Sequence, residues 1–198
     1  MIKSILVVPH ILVYKRICRT KPDVANDIKE DLAVMNSHCK LNKGLSYYLV
    51  NREPYRNVFY YRVGNRIGKL LGFFLPEYKG FYIKSTVKRI GGGIFALNHP
   101  YATIINCKEI GRNFTICQLT TVGNKNHGRN DLVPVIGDNV SLGANVNVIG
   151  DINIGNNVVI GAGSVVVKDV PDNCVVAGNP AKIIKYLENE KSINSWGL

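Results

Sequence analysis

Residues 132–171 read LVPVIGDNVSLGANVNVIGDINIGNNVVIGAGSVVVKDVP, and aliphatic side chains recur in this stretch at every sixth position. The series consists of Ile136, Leu142, Val148, Ile154, Ile160 and Val166. A period of six fits neither the 3.6-residue α-helix nor the two-residue strand, and it is typical of a parallel β-helix built from hexapeptides. Because three hexapeptides make a coil of about 18 residues, each member of the series is expected to stack on the member one coil later. Ile136 is therefore predicted to lie against Ile154.

The six-residue step extends toward the N-terminus, through Ile104, Ile110, Ile116 and Val122. Between Val122 and Ile136 the step is broken by about eight extra residues, 124–131, which read NKNHGRND. Loops inserted into a regular scaffold often carry function, so this segment is a candidate part of a site.

The N-terminal residues 1–82 are predicted to form a basic α-helical region. Residues 1–20 indicate one or two short helices, and 24–38 carry apolar residues at helical spacing, with Asp27, Glu30 and Asp31 expected on the solvent side. A helical patch over 45–50 and one long helix over 55–74 follow. The aromatic residues expected to cap the open end of the β-helix are Phe73, Phe74, Tyr78, Phe81 and Tyr82.

The chain therefore divides into a helical region (1–82), a β-helix domain (83–180) and a C-terminal helix and tail (181–198), with the short helix expected over about 181–191. With 46% hydrophobic residues and a mean hydropathy of +0.03, the 198 residues suffice for a packed core. The longest apolar run, residues 5–14, is too short to span a bilayer, which needs about 20 residues.

The net charge of +11 is confined to one half of the chain. Residues 1–90 contain 17 Lys and Arg against 6 Asp and Glu, whereas residues 91–198 contain 8 of each kind. Such asymmetry indicates either contact with an anionic surface, such as a membrane, or a solvated basic helix face. No nucleic-acid-binding motif accompanies this charge asymmetry.

The five cysteines form no CxxC pair, which favours a reducing cytoplasm. The four histidines lack metal-ligand spacing, so no metal site is expected.

Several phrases of the sequence resemble the left-handed parallel β-helix acyltransferases, and among them the serine acetyltransferases. These phrases are NH at 98–99, CQLTTVG at 117–123, IGDNV at 136–140, IGAGSVV at 160–166 and AGNPA at 177–181. The resemblance is close over residues 91–184 and loose over the helical N-terminus. It implies a left-handed β-helix that assembles as a homotrimer, with acetyl-CoA bound in the groove between adjacent chains. Pairing of trimers into a hexamer through the N-terminal helices is a further expectation.

The resemblance also implies roles for individual residues. His99 falls at the position of the family's catalytic histidine, and imidazole is well suited to remove a proton from an acceptor hydroxyl. Asn98 and His127 are candidates for acceptor binding. The candidate acetyl-CoA contacts are Gly123, Gly143, Ala144, Ala162, Gly163 and Lys182, because small residues admit the pantetheine arm and a basic residue suits a phosphate.

Three departures from the family pattern bear on the acceptor. Asn98 replaces an aspartate, Val133 replaces a second histidine, and no carboxylate occupies 83–85, where the aspartate that orients the base would fall. We therefore expect an O-acetyltransferase acting on a sugar or a surface-glycan precursor. L-Serine as acceptor and a non-catalytic β-helix scaffold are the alternatives. The expected location is the cytoplasm or the inner membrane surface.

Overall fold

The structure is a computed structural model, and it describes residues 5–35, 41–84, 86–98, 100–126 and 131–187. Helices occupy the N-terminal part: α1 (Val8–Thr20), α2 (Pro22–Met35), α3 (Leu41–Asn51), α4 (Glu53–Val63) and α5 (Asn65–Leu71). Strands make up the remainder: β1 (Phe81–Ile83), β2 (Arg89–Ile90), β3 (Phe95–Asn98), β4 (Thr103–Ile105), β5 (Glu109–Ile110), β6 (Thr115–Cys117), β7 (Thr121–Gly123), β8 (Val135–Ile136), β9 (Ser141–Leu142), β10 (Asn147–Ile149), β11 (Asn153–Ile154), β12 (Val158–Ile160), β13 (Val165–Val166), β14 (Cys174–Gly178) and β15 (Ala181–Tyr186).

The strands form three sheets, and every coil contributes one strand to each sheet, except that the last coil adds only a bridge at Val170 to sheet B. Sheet A has the order β1-β4-β7-β10-β13, sheet B the order β11-β8-β5-β2, and sheet C the order β15-β14-β12-β9-β6-β3. All pairings are parallel except that of β14 with β15. The six-residue period therefore produces the predicted parallel β-helix.

The predicted stacking of one coil on the next is confirmed by the strand register. Ile136 pairs with Ile154, and the same step aligns Leu142 with Ile160 and Val148 with Val166. The coil that contains the insertion is longer than the next one. Asn113 bonds to Asn139, 26 residues later, whereas Asn139 bonds to Asn157 after 18 residues. The difference of eight is the predicted insertion.

The beginning of the repeat was predicted one residue too early. Ile105 is fully buried and pairs with Val122, whereas Ile104 is 37% exposed. The coil is one residue shorter here, and Ala102 turns the chain with a φ of 50°. The alternation of the strand then directs Thr103 and Ile105 inward.

One corner of the β-helix is held by an asparagine ladder. Asn113, Asn139, Asn157 and Asn173 have left-handed backbone conformations with φ of 55–56°. Each of the first three donates its side-chain amide to the side-chain oxygen of the next at 2.8 Å. Asparagine tolerates this conformation better than most residues, and its amide fills the corner with neutral hydrogen bonds.

Three predictions about the helical region were wrong, and the third concerns Asp31. The expected long helix over 55–74 is divided at Gly64, whose φ of 96° lies outside the helical range, into α4 and α5. Of the expected aromatic cap, Phe81 is buried and Tyr78 is half-buried, but Phe73, Phe74 and Tyr82 are exposed.

Asp31 was expected on the solvent side but is fully buried. Its carboxylate accepts two hydrogen bonds from the Arg62 guanidinium, at 2.7 and 2.8 Å, and one from the backbone N–H of Ile94 at 3.0 Å. Arg62 also donates to the carbonyls of Ile90 and Gly91, both at 2.9 Å. This ionic cluster attaches α2 and α4 to the segment that leads into β3.

The predicted C-terminal helix is absent from the described residues, which end at 187. Gly178, with a φ of 103°, reverses the chain, and β15 returns antiparallel along β14. A strand forms because β14 offers an unpaired edge whose backbone groups need partners.

Strand β1 (Phe81–Ile83) spans the boundary predicted at residue 82 between the helical region and the β-helix domain. None of the described helices is long and apolar enough to cross a membrane.

Candidate active site

The candidate catalytic residue His99 lies outside the described residues, as does His127. The strand that precedes His99 is β3, which forms the outer edge of sheet C. Its last residue, Asn98, pairs with Cys117 of β6. The structure therefore places the backbone next to His99 at one end of sheet C.

Small residues continue this line of positions across sheet C. The aligned residues Ile116, Leu142 and Ile160 face the core, so the positions after them also stack from coil to coil. These positions hold Cys117, Gly143, Gly161 and Ala177, and with Asn98 they form what we call the sheet C column. Gly143 and Gly161 donate their amides to the carbonyls of the next coil, at 2.9 and 2.8 Å. The column thus joins the candidate acceptor end to the C-terminal hairpin.

Four of the candidate acetyl-CoA contacts come together beside this column, at the corner where the chain leaves sheet C. A Cβ added at Gly143 would lie 2.7 Å from the amide nitrogen of Ala162, and the Gly163 amide donates to the Ala144 carbonyl at 2.9 Å. Ala162 and Gly163 are exposed, and a Cβ at Gly163 would meet no atom within 4 Å. The corner therefore leaves accessible backbone, which suits a long, flexible ligand arm.

Lys182 also lies beside the column. It is on β15, pairs with Ala177 and is exposed to solvent. A cationic amine at this place suits a phosphate at the end of a ligand that follows the column.

Gly123 lies apart from the other candidates. It is the last residue of β7, the central strand of sheet A, where it pairs with Ile149 and accepts a hydrogen bond from the Gly150 amide at 2.9 Å. A Cβ at Gly123 would meet no atom within 4 Å. A single chain does not bring Gly123 to the corner at Gly143.

A family model for the bacterial transferase hexapeptide (six repeats) matches residues 134–168. Serine acetyltransferase 2 of Arabidopsis thaliana is 33% identical over 176 residues, which cover 84% of this chain and 54% of the relative. A putative colanic acid biosynthesis acetyltransferase, WcaB of Escherichia coli (strain K12), is 47% identical over 93 residues, which cover 46% of this chain and 57% of the relative. The crystal structure of Neisseria gonorrhoeae serine acetyltransferase superposes with a TM-score of 0.71 at 27% identity, covering 89% of this chain and 71% of that one.

The chain is a hexapeptide-repeat protein that resembles the serine acetyltransferases. The predicted left-handed parallel β-helix with a helical N-terminal region is thereby confirmed. The chain spans about half the length of the curated relatives that it matches.

The positions where this hexapeptide-repeat chain departs from the serine enzymes can now be located. Val133 is buried, so the side chain at the place of the second histidine is withdrawn from solvent. Ile83 pairs with Ile105 within sheet A, and Lys84 is exposed. Neither described residue of the segment 83–85 supplies a carboxylate.

Besides Ala177, sequence reasoning missed two members of the column. Cys117 is half-buried beside Asn98, and burial raises the pKa of its thiol. Gly161 lies so near Ala177 that an added Cβ would be 3.1 Å from that residue's Cβ. The six-residue step would have located both, because each follows an aliphatic residue of the repeat. Among the residues described here, no three His, Cys, Asp or Glu side chains are grouped so as to hold a metal ion.

Proposed function

We propose that this protein is an acetyl-CoA-dependent O-acetyltransferase whose acceptor is a hydroxyl of a sugar or a surface-glycan precursor. The sheet C column carries this proposal, because one surface connects the strand before His99 with the small-residue corner and with Lys182. The related chains named as acetyltransferases support the reaction type.

In the proposed reaction His99 acts as general base. Its imidazole takes the proton of the acceptor hydroxyl while the oxygen attacks the thioester carbonyl. The new C–O bond forms, the C–S bond breaks, and the proton passes to the CoA thiolate. Direct transfer of this kind needs no acyl-enzyme. The backbone of the corner at 143–144 and 162–163 would line the pantetheine arm, and Lys182 would meet a phosphate.

The acceptor class is inferred from what the chain lacks relative to the serine enzymes. Asn98 is neutral and Val133 is buried, so two groups that would hold the amine and the carboxylate of serine are missing. WcaB is named for colanic acid biosynthesis and is 47% identical over its matched segment, which supports a glycan acceptor. L-Serine remains the second candidate because the 33% identical relative is a serine acetyltransferase.

The proposed assembly is a homotrimer in which each site is shared by two chains. The separation of Gly123 from the corner at Gly143 supports it, since a neighbouring chain could supply the second wall of the groove. A trimer would have three times the 21.9 kDa mass of the chain, and pairing through the N-terminal helices would double that mass. Light scattering on the purified protein distinguishes these states. The cytoplasmic location and contact between the basic N-terminal region and a membrane are also part of the proposal.

Release of CoA thiol measured with a panel of sugars and with L-serine tests the function. We expect turnover with at least one sugar and little with serine. His99→Ala should lower kcat at least ~10²-fold while CoA affinity, measured by calorimetry, is nearly unchanged. Robust turnover with serine alone would refute the proposed acceptor, and failure to bind acetyl-CoA would favour the scaffold alternative.

A further inference from the structure

An unusual concentration of exposed apolar side chains lies on two segments of the helical region. Phe73 is 86% exposed and Leu70 is 62% exposed, on and directly after α5, and Ile5 and Leu12 are 67% and 61% exposed, before and on α1. Large apolar side chains grouped at a surface mark sites that contact another molecule or a membrane. The full set, which we call the apolar face, is Ile5, Val8, Leu12, Ile67, Leu70, Phe73 and Phe74.

The two segments are brought together by the packing of α1, α4 and α5. Leu6 and Phe74 line the same cavity of about 490 Å³. The His10 Nε2 of α1 lies 2.9 Å from the Tyr60 hydroxyl of α4, which donates at 2.6 Å to the Leu75 carbonyl. The start of α1 is thus fixed beside the turn that carries Phe73.

The exposure of α5 follows from a close helix contact. Gly68 packs so tightly on α4 that a Cβ at this position would lie 2.8 Å from the Cβ of Tyr60. Gly68 and Leu71 are buried by this contact. Leu70 is consequently directed away from the protein, and Ile67, at the flank of the contact, remains 40% exposed.

Basic side chains accompany the apolar face on both segments. Arg66 and Lys69 are exposed on α5, and the exposed residues Lys15, Arg16 and Arg19 continue the Ile5–Leu12 stripe along α1 at helical spacing. The sequence contains no Asp or Glu in residues 1–22 or 54–76. The two segments therefore combine apolar and cationic groups with no acidic residue of their own.

We propose that this face docks on a bilayer containing anionic phospholipid, with the apolar side chains at the acyl boundary and the basic side chains at the headgroup phosphates. An interfacial segment is recognised by this combination, in which apolar burial and attraction to anionic lipid add. A second copy of the chain fits less well, because facing two such surfaces would bring the basic clusters of both copies together. The inference rests on the membrane contact already proposed for the basic N-terminal region and assigns its surface and its lipid class, but it does not depend on the acceptor or on catalysis.

Flotation of the full-length protein with vesicles tests the proposal in the absence of acetyl-CoA. We expect binding to vesicles of phosphatidylcholine with phosphatidylglycerol, much weaker binding to phosphatidylcholine alone, and release at high salt, since salt screens the attraction. The charge reversal R66E/K69E and the polar pair L70N/F73N should each reduce the vesicle affinity at least about tenfold.

Matched controls alter the same residue types elsewhere on the surface. K84E/K88E makes the same charge change at exposed positions of the β1–β2 segment, and I184N/Y186N replaces two exposed apolar side chains of β15. Both controls should bind vesicles much as the wild type does. All substituted side chains are exposed, and thermal melting verifies that each variant is folded.

Three results would overturn the proposal. The first is that the wild-type protein does not bind anionic vesicles. The second is that the control variants lose as much binding as R66E/K69E and L70N/F73N. The third is that the wild-type protein does not bind vesicles and that L70N/F73N forms a smaller assembly than the wild type. The last result would instead assign the face to contact between copies of the chain.

Discussion

Different kinds of interaction stabilise the β-helix and attach the helical region to it. In the β-helix, successive coils pair through parallel strands and through hydrogen bonds between neutral asparagine side chains. Residues 91–198, which include most of the β-helix, have no net charge. The helical region holds the excess charge, shares one hydrophobic core with the β-helix, and is also attached through the buried ion pair Asp31–Arg62 with its hydrogen bonds to the β3 approach. The β-helix thus relies on neutral contacts that repeat, whereas the attachment of the helices includes buried charges. The two parts should therefore respond differently to substitution and to pH.

The largest effect is expected from breaking the attachment. Asp31→Leu removes the carboxylate that accepts two hydrogen bonds from the buried Arg62 guanidinium and leaves only the Asp27 carboxylate, at 3.4 Å, as its ionic partner, so it should lower the free energy of unfolding by about 3–5 kcal/mol. Urea denaturation measures the loss. The double variant D31L/R62M should recover part of it, since no unpaired charge remains. Arg112→Ala is the control, because it removes the exposed Arg112–Glu30 pair and should cost less than about 1 kcal/mol.

Acid should weaken the helical region through His10. Burial lowers the pKa of His10 to about 4, an effect that the nearby Arg56 adds to and a hydrogen bond with the Leu6 backbone opposes. As pH falls from 6.5 toward 4, the unfolded chain binds a proton that the folded chain excludes, and up to about 3 kcal/mol of stability is lost. Urea denaturation at pH 7 and pH 4.5 should show a smaller difference for His10→Phe. Equal differences for both proteins would refute this assignment.

Within the β-helix, an added methyl group tests the coil-to-coil contact. A Cβ at Gly137 would lie 2.6 Å from the Asn156 side-chain oxygen and 2.8 Å from the Gly155 carbonyl oxygen. Gly137→Ala should therefore cost about 2 kcal/mol through overpacking, measured by thermal or urea unfolding. Gly123→Ala is the matched change, because open space surrounds that position, and it should leave stability nearly unchanged.

The smallest effect is expected in the asparagine ladder. Asn157→Ala removes two side-chain hydrogen bonds and puts alanine at a φ of 56°, at a cost of about 1–2 kcal/mol. Asn157→Gly loses the same hydrogen bonds but tolerates the backbone conformation, so its cost should be lower. If the two variants were equally destabilised, the left-handed conformation would not contribute, and the hydrogen bonds alone would explain the ladder.

The β-helix was predictable because its signal repeats. The pairing of Ile136 with Ile154 and the eight-residue insertion follow from counting, since every coil must bury the same positions. The count fails at Ile104, where one coil is a residue shorter and a single sequence offers no second copy for comparison.

Contacts between segments that are distant in the sequence have no repeating pattern from which they could be predicted. Asp31 lies in a helical pattern whose other acidic residues favour solvent, and its burial is explained by partners distant in the sequence, Arg62 and the Ile94 amide. Residues 181–186 form a strand because β14 lies beside them, which local propensity does not reveal. In the site, the six-residue period could have located Cys117 and Gly161 of the sheet C column, but the separation of Gly123 from Gly143 required the arrangement of the three sheets.

The asparagine ladder passes through the coil that carries the insertion without a break, although the successive steps are 26, 18 and 16 residues long. The geometry of the ladder is therefore independent of the number of residues between one asparagine and the next. Loops of other lengths and sequences can be exchanged between β7 and β8 while the stack beneath them is conserved. In this architecture the loop between β7 and β8 can change independently of the stacked coils that hold the fold together.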